Sequence, residues 1–224
     1  MHWTMTASWM FLMTAAILGG PRDAAAVVLT DPSFEAGSGT SFGPAWTSFG
    51  NAFREPVTPH SGTHSAKVFS NFTGSVNLSG VFQDLPANPG EVWEASIWVR
   101  HNSGDALQGA NEARLKIEFL DGSFSALPAG ALEATILTAA SPLDLYTQHT
   151  IQHQSPSGTA HVHVALLFVG DAANSGGAAI FDDAVLQEIP EPATLALLGL
   201  GTLVLVKRRR NGATERRRRG PGHD

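Results

Sequence analysis

The sequence contains no cysteine. Disulfides are therefore excluded as a source of stability, although an exported protein would be free to form them. Enzyme signatures are missing as well: there is no G-x-S-x-G, no H-E-x-x-H, no cysteine nucleophile and no phosphate loop. Glu118 and Asp121 can be imagined as a glycosidase carboxylate pair. Strand alternation, however, puts Glu118 on a solvent face, and Asp121-Gly122 reads as a turn. No repeat of solenoid length occurs. No stretch of the body of the chain keeps a helical period; residues 126–140 come closest, and Pro128 and Gly130 interrupt them. Bases are scarce in the same region. Between Val27 and Gln187 there are about fifteen acids against about five bases, whereas eight of the fourteen Lys and Arg lie from Lys207 onward. Such an acidic body argues against nucleic acid and anionic lipid headgroups as ligands, and is compatible with neutral glycans and calcium.

What is present is organised from the C-terminal end. Pro190 and Pro192 flank Glu191; they remove backbone donors and fix φ, so no helix crosses them. Ala193 to Val206 follows without a charge, rich in Leu, Ala and Gly, and the basic cluster Lys207, Arg208, Arg209, Arg210 comes next. Fourteen helical residues reach roughly 21 Å, short of the ~30 Å hydrocarbon core. Such a span works if Ile189 enters the interface, the basic stems snorkel and the bilayer thins. The cluster then sits on the cytoplasmic side. A short buried core helix is the alternative, and the two basic blocks, Lys207 to Arg210 and Arg216 to Arg219, argue against it. At the other end, Trp9 to Gly20 is apolar and Ala24-Ala25-Ala26 supplies a cleavage pattern, so residues 1–26 are expected to be a signal peptide. His2 stands where lysine or arginine is usual, and the run is too short for an uncleaved anchor.

From Val27 to Gln187 the text is β: short alternating runs separated by Gly, Pro, Asn, Ser and Asp clusters. In Val92 to Arg100, the residues Trp93, Ala95, Ile97 and Val99 share one face and Glu94, Ser96, Trp98 and Arg100 the other. In the same way Leu115, Ile117 and Phe119 point inward, as do Val162, Val164, Leu166 and Phe168, with His161 and His163 outside. The expected fold class is all-β, an antiparallel β-sandwich or jelly roll with one solvated face per sheet. Trp98 is an indole on a polar face beside Arg100, which marks a ligand platform, with packing under a loop as the alternative. His161 and His163 share a face, but no third transition-metal ligand is visible near them.

The order Pro-Glu-Pro, short membrane helix, arginine cluster resembles the PEP-CTERM sorting signal over residues 188–210. The resemblance implies processing by an exosortase, a transpeptidase-like membrane enzyme, in a bacterium that makes extracellular polysaccharide. Members of that group usually end soon after the first arginines; this chain continues through residues 211–224, a basic tail without an assigned role. The body carries a second resemblance. Asp31-Pro32-Ser33-Phe34-Glu35, Trp46, His60-Ser61-Gly62-Thr63-His64-Ser65, Val81-Phe82-Gln83-Asp84, Asn88-Pro89-Gly90-Glu91-Val92-Trp93 and Ile180-Phe181-Asp182-Asp183 occur in this order. That order looks like the galactose-binding-like jelly roll of carbohydrate-binding modules of families four and nine. It implies one structural Ca²⁺ held by Ser33 and Gly62-Thr63 through backbone oxygens and by Asp182 or Asp183 through a carboxylate, with Glu35 nearby, a set of hard oxygens suited to calcium; the alternative is that Asp182-Asp183 only ends a strand in solvent. It also implies ligand aromatics at Trp46 and Phe49, in addition to Trp98 and Arg100. The expected role is a non-catalytic surface protein, retained through the inner membrane in transit, that binds or organises polysaccharide. The alternative is a structural matrix protein without sugar affinity. Fold alone decides neither.

Overall fold

A computed structural model describes residues 29–189. The expected signal peptide, the membrane helix, the basic cluster and the tail lie outside the described residues. Twelve strands make up the body: β1 (Gly37–Ser38), β2 (Ser41–Phe42), β3 (Thr47–Phe49), β4 (Asn51–Glu55), β5 (Ser65–Phe69), β6 (Asn77–Pro86), β7 (Val92–Arg100), β8 (Glu112–Leu120), β9 (Ala126–Thr138), β10 (Thr147–Gln154), β11 (His161–Gly170) and β12 (Ala178–Ile189). Among the described residues the only helical element is a 3-10 turn, Ser103–Asp105, and none is long and apolar enough to cross a membrane.

The strands form two five-stranded sheets, ordered β10-β7-β12-β5-β4 and β3-β6-β11-β8-β9, with β1 and β2 as a separate hairpin. Every pairing is antiparallel. The core follows the alternation of the sequence. Trp93, Ala95, Ile97 and Val99 of β7 meet Leu115, Ile117 and Phe119 of β8 and Val162, Val164, Leu166 and Phe168 of β11, all of them buried. Burying large apolar side chains of this kind contributes about 1.5–3 kcal/mol each, so these three strands carry much of the stability. The stretch 126–140, the nearest to a helical pattern, is strand β9 and the turn after it; its pairing with β8 shifts register at two places. β9 is an edge strand, which is where a proline and a register shift are tolerated.

Residues 29–36, just before β1, are fastened to the sandwich. The Gln83 side chain accepts from the Thr30 amide and donates to the Thr30 carbonyl, at 3.1 and 2.8 Å. Arg54, buried on β4, donates from Nε to the Phe34 carbonyl at 2.7 Å and from its guanidinium to the Glu35 carbonyl at 2.5 Å. The Ala184 amide donates to the Pro32 carbonyl at 2.9 Å.

The outer faces of the two sheets differ. On the β7–β12–β5 face, Ser65, Ser96, Ala178, Ile180 and Asp182 all have outward parity, yet all are buried. Two loops overlie them. Residues 56–64 cross above Trp98 and Asp182, and residues 101–107 are tied down where Lys67 pairs with Asp105 at 2.9 Å. On the outer face of the other sheet Leu120, Ala165, Leu167 and Val169 are buried too, among charged and aromatic side chains such as Phe49, Phe82, Arg114 and Lys116 that are only partly exposed.

Candidate functional site

The covered face is built on a β-bulge. The β12–β7 register shifts between Asp182 and Val185, and Asp183 takes a left-handed φ of 50°. A bulge re-aims side chains, and here it presents two successive carboxylates to the 56–64 loop. Asp182 accepts the His60 and Ser61 amides at 2.6 and 3.0 Å and the Asp183 amide at 2.8 Å. Asp183 bonds His60 Nδ1 and Ser61 Oγ, both at 2.6 Å. The His60 ring lies stacked on Trp98, centroids 4.2 Å apart at 16°, and edge-on to Tyr146, whose hydroxyl donates to the Thr58 carbonyl at 2.8 Å. His60 and Ser61 thus both bond Asp183 rather than each other, which is not the relay a serine nucleophile requires.

The loop is held at its other end by Glu35. One of its oxygens accepts the Thr63 and His64 amides at 2.8 and 2.9 Å, and the other accepts Thr63 Oγ1 at 2.7 Å. Gly62, at φ 62°, passes so close that a Cβ would sit 2.3 Å from Glu35 Oε1, so the turn requires glycine twice over. Burial pushes the Glu35 carboxyl up, but the bonds from Thr63 and His64 outweigh it and hold the group down at about 2. Asp182 goes the other way. Its burial, reinforced by the Asp183 charge, exceeds the pull of the three amides and raises it to about 6.

The residues expected to hold calcium are therefore brought together in part. The segments 31–36, 60–64 and 182–184 converge: Glu35 meets Gly62 and Thr63, and Asp182 and Asp183 meet the preceding His60 and Ser61. Ser33 lies between Pro32, which bonds Ala184, and Phe34. Among the described residues no three His, Cys, Asp or Glu side chains form a metal-holding group. One oxygen in this corner, Asp31 Oδ2, is buried with no hydrogen-bond partner.

The ligand aromatics fare differently. Trp46 is a correction. It is 4% exposed, donates from Nε1 to the Asp31 carbonyl at 2.8 Å and packs on Phe34 at 5.0 Å, so it belongs to the core that fixes the opening turn. Trp98 does lie on the outer face, but under the His60 ring rather than free. Arg100 beside it is committed to Asp144 at 3.1 Å and lies over the Tyr146 ring at 5.4 Å. Phe49 ends β3, on the other sheet, with its ring 6.3 Å from Phe82.

Around Phe49 the outer face of that sheet has a regular layout. Register places Thr47, Phe82, Ala165, Lys116 and Glu133 in one row across five strands, and Phe49, Gly80, Leu167, Arg114 and Thr135 in the next. Asp84, His163 and Glu118 form a third. Gly80 leaves room that the Phe49 ring and the Leu167 side chain fill: a Cβ there would lie 3.1 Å from each and 2.5 Å from the Leu166 carbonyl. One wall is aromatic, Phe49 and Phe82 with His163 tilted on Phe82 at 4.7 Å. The other is ionic: Lys116 pairs with Glu118 at 2.9 Å, and Arg114 bridges Glu112 and Glu133, the latter at 2.7 Å. His163 Nδ1 bonds Asp84 at 2.7 Å. The result is a band about 14 Å across from β6 to β9 at ~4.8 Å per strand, with aromatic side chains on one side and ion pairs on the other. His161 stands away from it, stacked on Phe124 at 4.1 Å.

Similarity to known proteins agrees with this architecture. Residues 188–210 match the PEP-CTERM protein-sorting motif. The motif implies export and a stage of membrane anchoring before sorting. Among solved structures, an arabinose-bound α-L-arabinofuranosidase matches at 17% identity and a TM-score of 0.54, over 72% of this chain and 26% of that one. A cyclase from Fischerella sp. TAU in complex with 4-(1H-indol-3-yl)butan-2-one matches at 16% identity and a TM-score of 0.52, over 75% and 98%. The CBM22-1 xylan-binding domain from Paenibacillus barcinonensis matches at 18% identity and a TM-score of 0.49, over 75% and 97%. At these identities the likeness is one of fold. The chain spans about a quarter of the arabinofuranosidase. No curated protein matches the sequence.

The two displaced carboxyls act on stability in opposite directions. Glu35, held below its ordinary 4.5, contributes stability that is present above pH 4.5 and lost as pH falls toward 2. Asp182, raised above its ordinary 3.8, contributes stability that is present below that value and lost as pH rises through about 6. Melting curves of wild type and Glu35→Gln in chelator should therefore lie apart at pH 7 and converge toward pH 2. Curves that stay parallel across the range would show that Glu35 does not hold the loop.

Proposed function

We propose that this chain is an exported, exosortase-sorted surface protein whose sandwich binds extracellular polysaccharide without catalysing a reaction on it. The outer face of the β3-β6-β11-β8-β9 sheet carries this reading. It combines aromatic surface with polar groups in the arrangement by which ring faces and hydroxyls of a sugar are bound together. Phe49 and Phe82 supply the apolar contact; Asp84, His163, Lys116 and Glu133 lie within one or two register rows of them. Arg114 and Lys116 on this face are already paired with carboxylates, which favours a neutral glycan over an anionic one. The chain divides accordingly into a signal peptide (1–26), the sandwich (27–187), the sorting signal (188–210) and a basic tail (211–224). Final residence is at the cell surface or in the extracellular matrix.

Calcium belongs to the same proposal. The donors in the corner formed by Ser33, Glu35, Gly62, Thr63, Asp182 and Asp183 are all oxygens, and the buried, unpartnered Asp31 Oδ2 is an atom a cation would satisfy. A bound ion would fasten the 60–64 loop to the opening turn and to the β12 bulge. A ligand that binds only the folded state raises its stability by mass action. Chelation should lower the melting temperature of wild type and leave Asp182→Ala with Asp183→Ala indifferent to chelator. Equal chelator response in both would remove calcium from the site.

The face assignment is tested by two aromatic variants on whichever glycan an array identifies. Phe82→Ala should retain the fold and bind roughly tenfold more weakly, the equivalent of about 1.4 kcal/mol from one aromatic contact. Trp98→Ala should instead lose roughly 2–3 kcal/mol of stability, because the indole supports His60 and the covering loop, while the refolded fraction binds normally. The opposite pattern would return the platform to Trp98. An array on which wild type binds nothing would leave a structural matrix protein.

A further inference from the structure

The sorting motif begins inside the folded sandwich. Its first two residues, Glu188 and Ile189, are also the last two of β12, in register with Trp93 and Val92 of β7. Pro190 follows with no spacer. Even fully extended, three residues reach only about 10 Å, so an enzyme working at Pro190 to Pro192 must operate against the end of the sandwich.

That end is broad and cross-braced. The β6–β7 and β10–β11 turns are joined beside Val92, which pairs with both Gln154 and Ile189. Gly90 donates its amide to Ser155 at 3.0 Å, and Ser155 returns its own to Glu91 at 2.8 Å. Ser155 Oγ donates to Asn88 at 2.6 Å, and the Ala87 amide donates to Ala160 at 3.0 Å. This platform does not fold away easily. The end of β12 is different. β5 pairs with β12 only over Ala178 to Phe181, so beyond the bulge the β-ladder described for β12 is with β7 alone. Leu186 is buried in the core at 2% exposure, whereas Gln187 is exposed and Ile189 half-buried.

We propose that Gln187, Glu188 and Ile189 leave the β7 ladder when the sorting enzyme engages Pro190 to Pro192, and that what they supply is length of extended chain rather than a recognised sequence. Their release supplies about 10 Å of extended chain at ~3.3 Å per residue, and Leu186 marks where the release stops. The sheet and the sorting step thus draw on the same last three residues of β12. The inference rests on the sorting reading given above.

The chain has no cysteine, so a single engineered disulfide can hold the strand in place. Glu94 and Gln187 are register partners with their side chains hydrogen-bonded at 2.9 Å, a placement suited to a cross-strand bridge. The full-length precursor carrying Glu94→Cys and Gln187→Cys is followed in membranes that process the wild type. Oxidised, it should be processed at least tenfold more slowly; reduced, at the wild-type rate. Six Gly and Ser residues inserted between Ile189 and Pro190 should restore processing of the oxidised form. Melting curves of both redox forms establish that each is folded. Processing of the oxidised, spacer-free precursor at the wild-type rate would overturn the inference, as would a spacer that restores nothing. Wild type that keeps its tail in its own host would overturn the sorting reading itself, a result separate from any behaviour of the disulfide.

Discussion

The arrangement depends on one buried carboxylate. Asp182 sits on a central strand with outward parity, where an isolated charge would be costly to bury. It is tolerated because the His60, Ser61 and Asp183 amides converge on it. Those bonds pull the 56–64 loop down over the sheet, and His60 then closes over Trp98. The part of that sheet's outer face over Trp98, Asp182 and β5 is thereby covered, while its β10 side, with Gln148, Thr150 and Gln152, stays exposed. The bulge at Asp183 makes this geometry possible, because without the register shift the two successive carboxylates would point to opposite sides of the strand.

Much of the sandwich was legible from alternation. Parity puts Trp93, Ala95, Ile97 and Val99 inward, and they are buried, as are the alternating residues of β8 and β11. Parity states which side of a sheet a residue occupies, but not what lies above it. Trp98 was placed on the correct face and Ser96 with it, yet Ser96 is 7% exposed because loops crossing that face come from distant parts of the chain. Trp46 looked like a loop aromatic; its indole nitrogen instead finds the Asp31 carbonyl, a contact with no local signature. Phe82 was the quietest signal. Its parity partner Asp84 and the flanking Val81 and Gln83 give the alternating pattern, but only cross-strand register shows that Phe82 stands in a row with Lys116 and Glu133.

The charge distribution agrees with the architecture. With no disulfide to brace it, the sandwich uses its own polar side chains: Arg54 holds the opening turn through carbonyls, Glu35 holds the 62–64 turn, and Gln83 pins Thr30. Arg114 and Lys116 are spent on Glu112, Glu118 and Glu133. What remains is an acidic body that anionic surfaces repel, joined without a spacer to the motif that sorts it.

On the proposal made above, the outer face of the β3-β6-β11-β8-β9 sheet meets the glycan, and the loop-covered face does not. Hydrogen exchange of the intact protein with and without a bound oligosaccharide distinguishes the two. Added protection is expected at the rim of the first face, in β3, β9 and the turns adjoining β6 and β8, with residues 56–64 unchanged. Protection concentrated in residues 56–64 and 144–148, around His60, Trp98 and Tyr146, would contradict it.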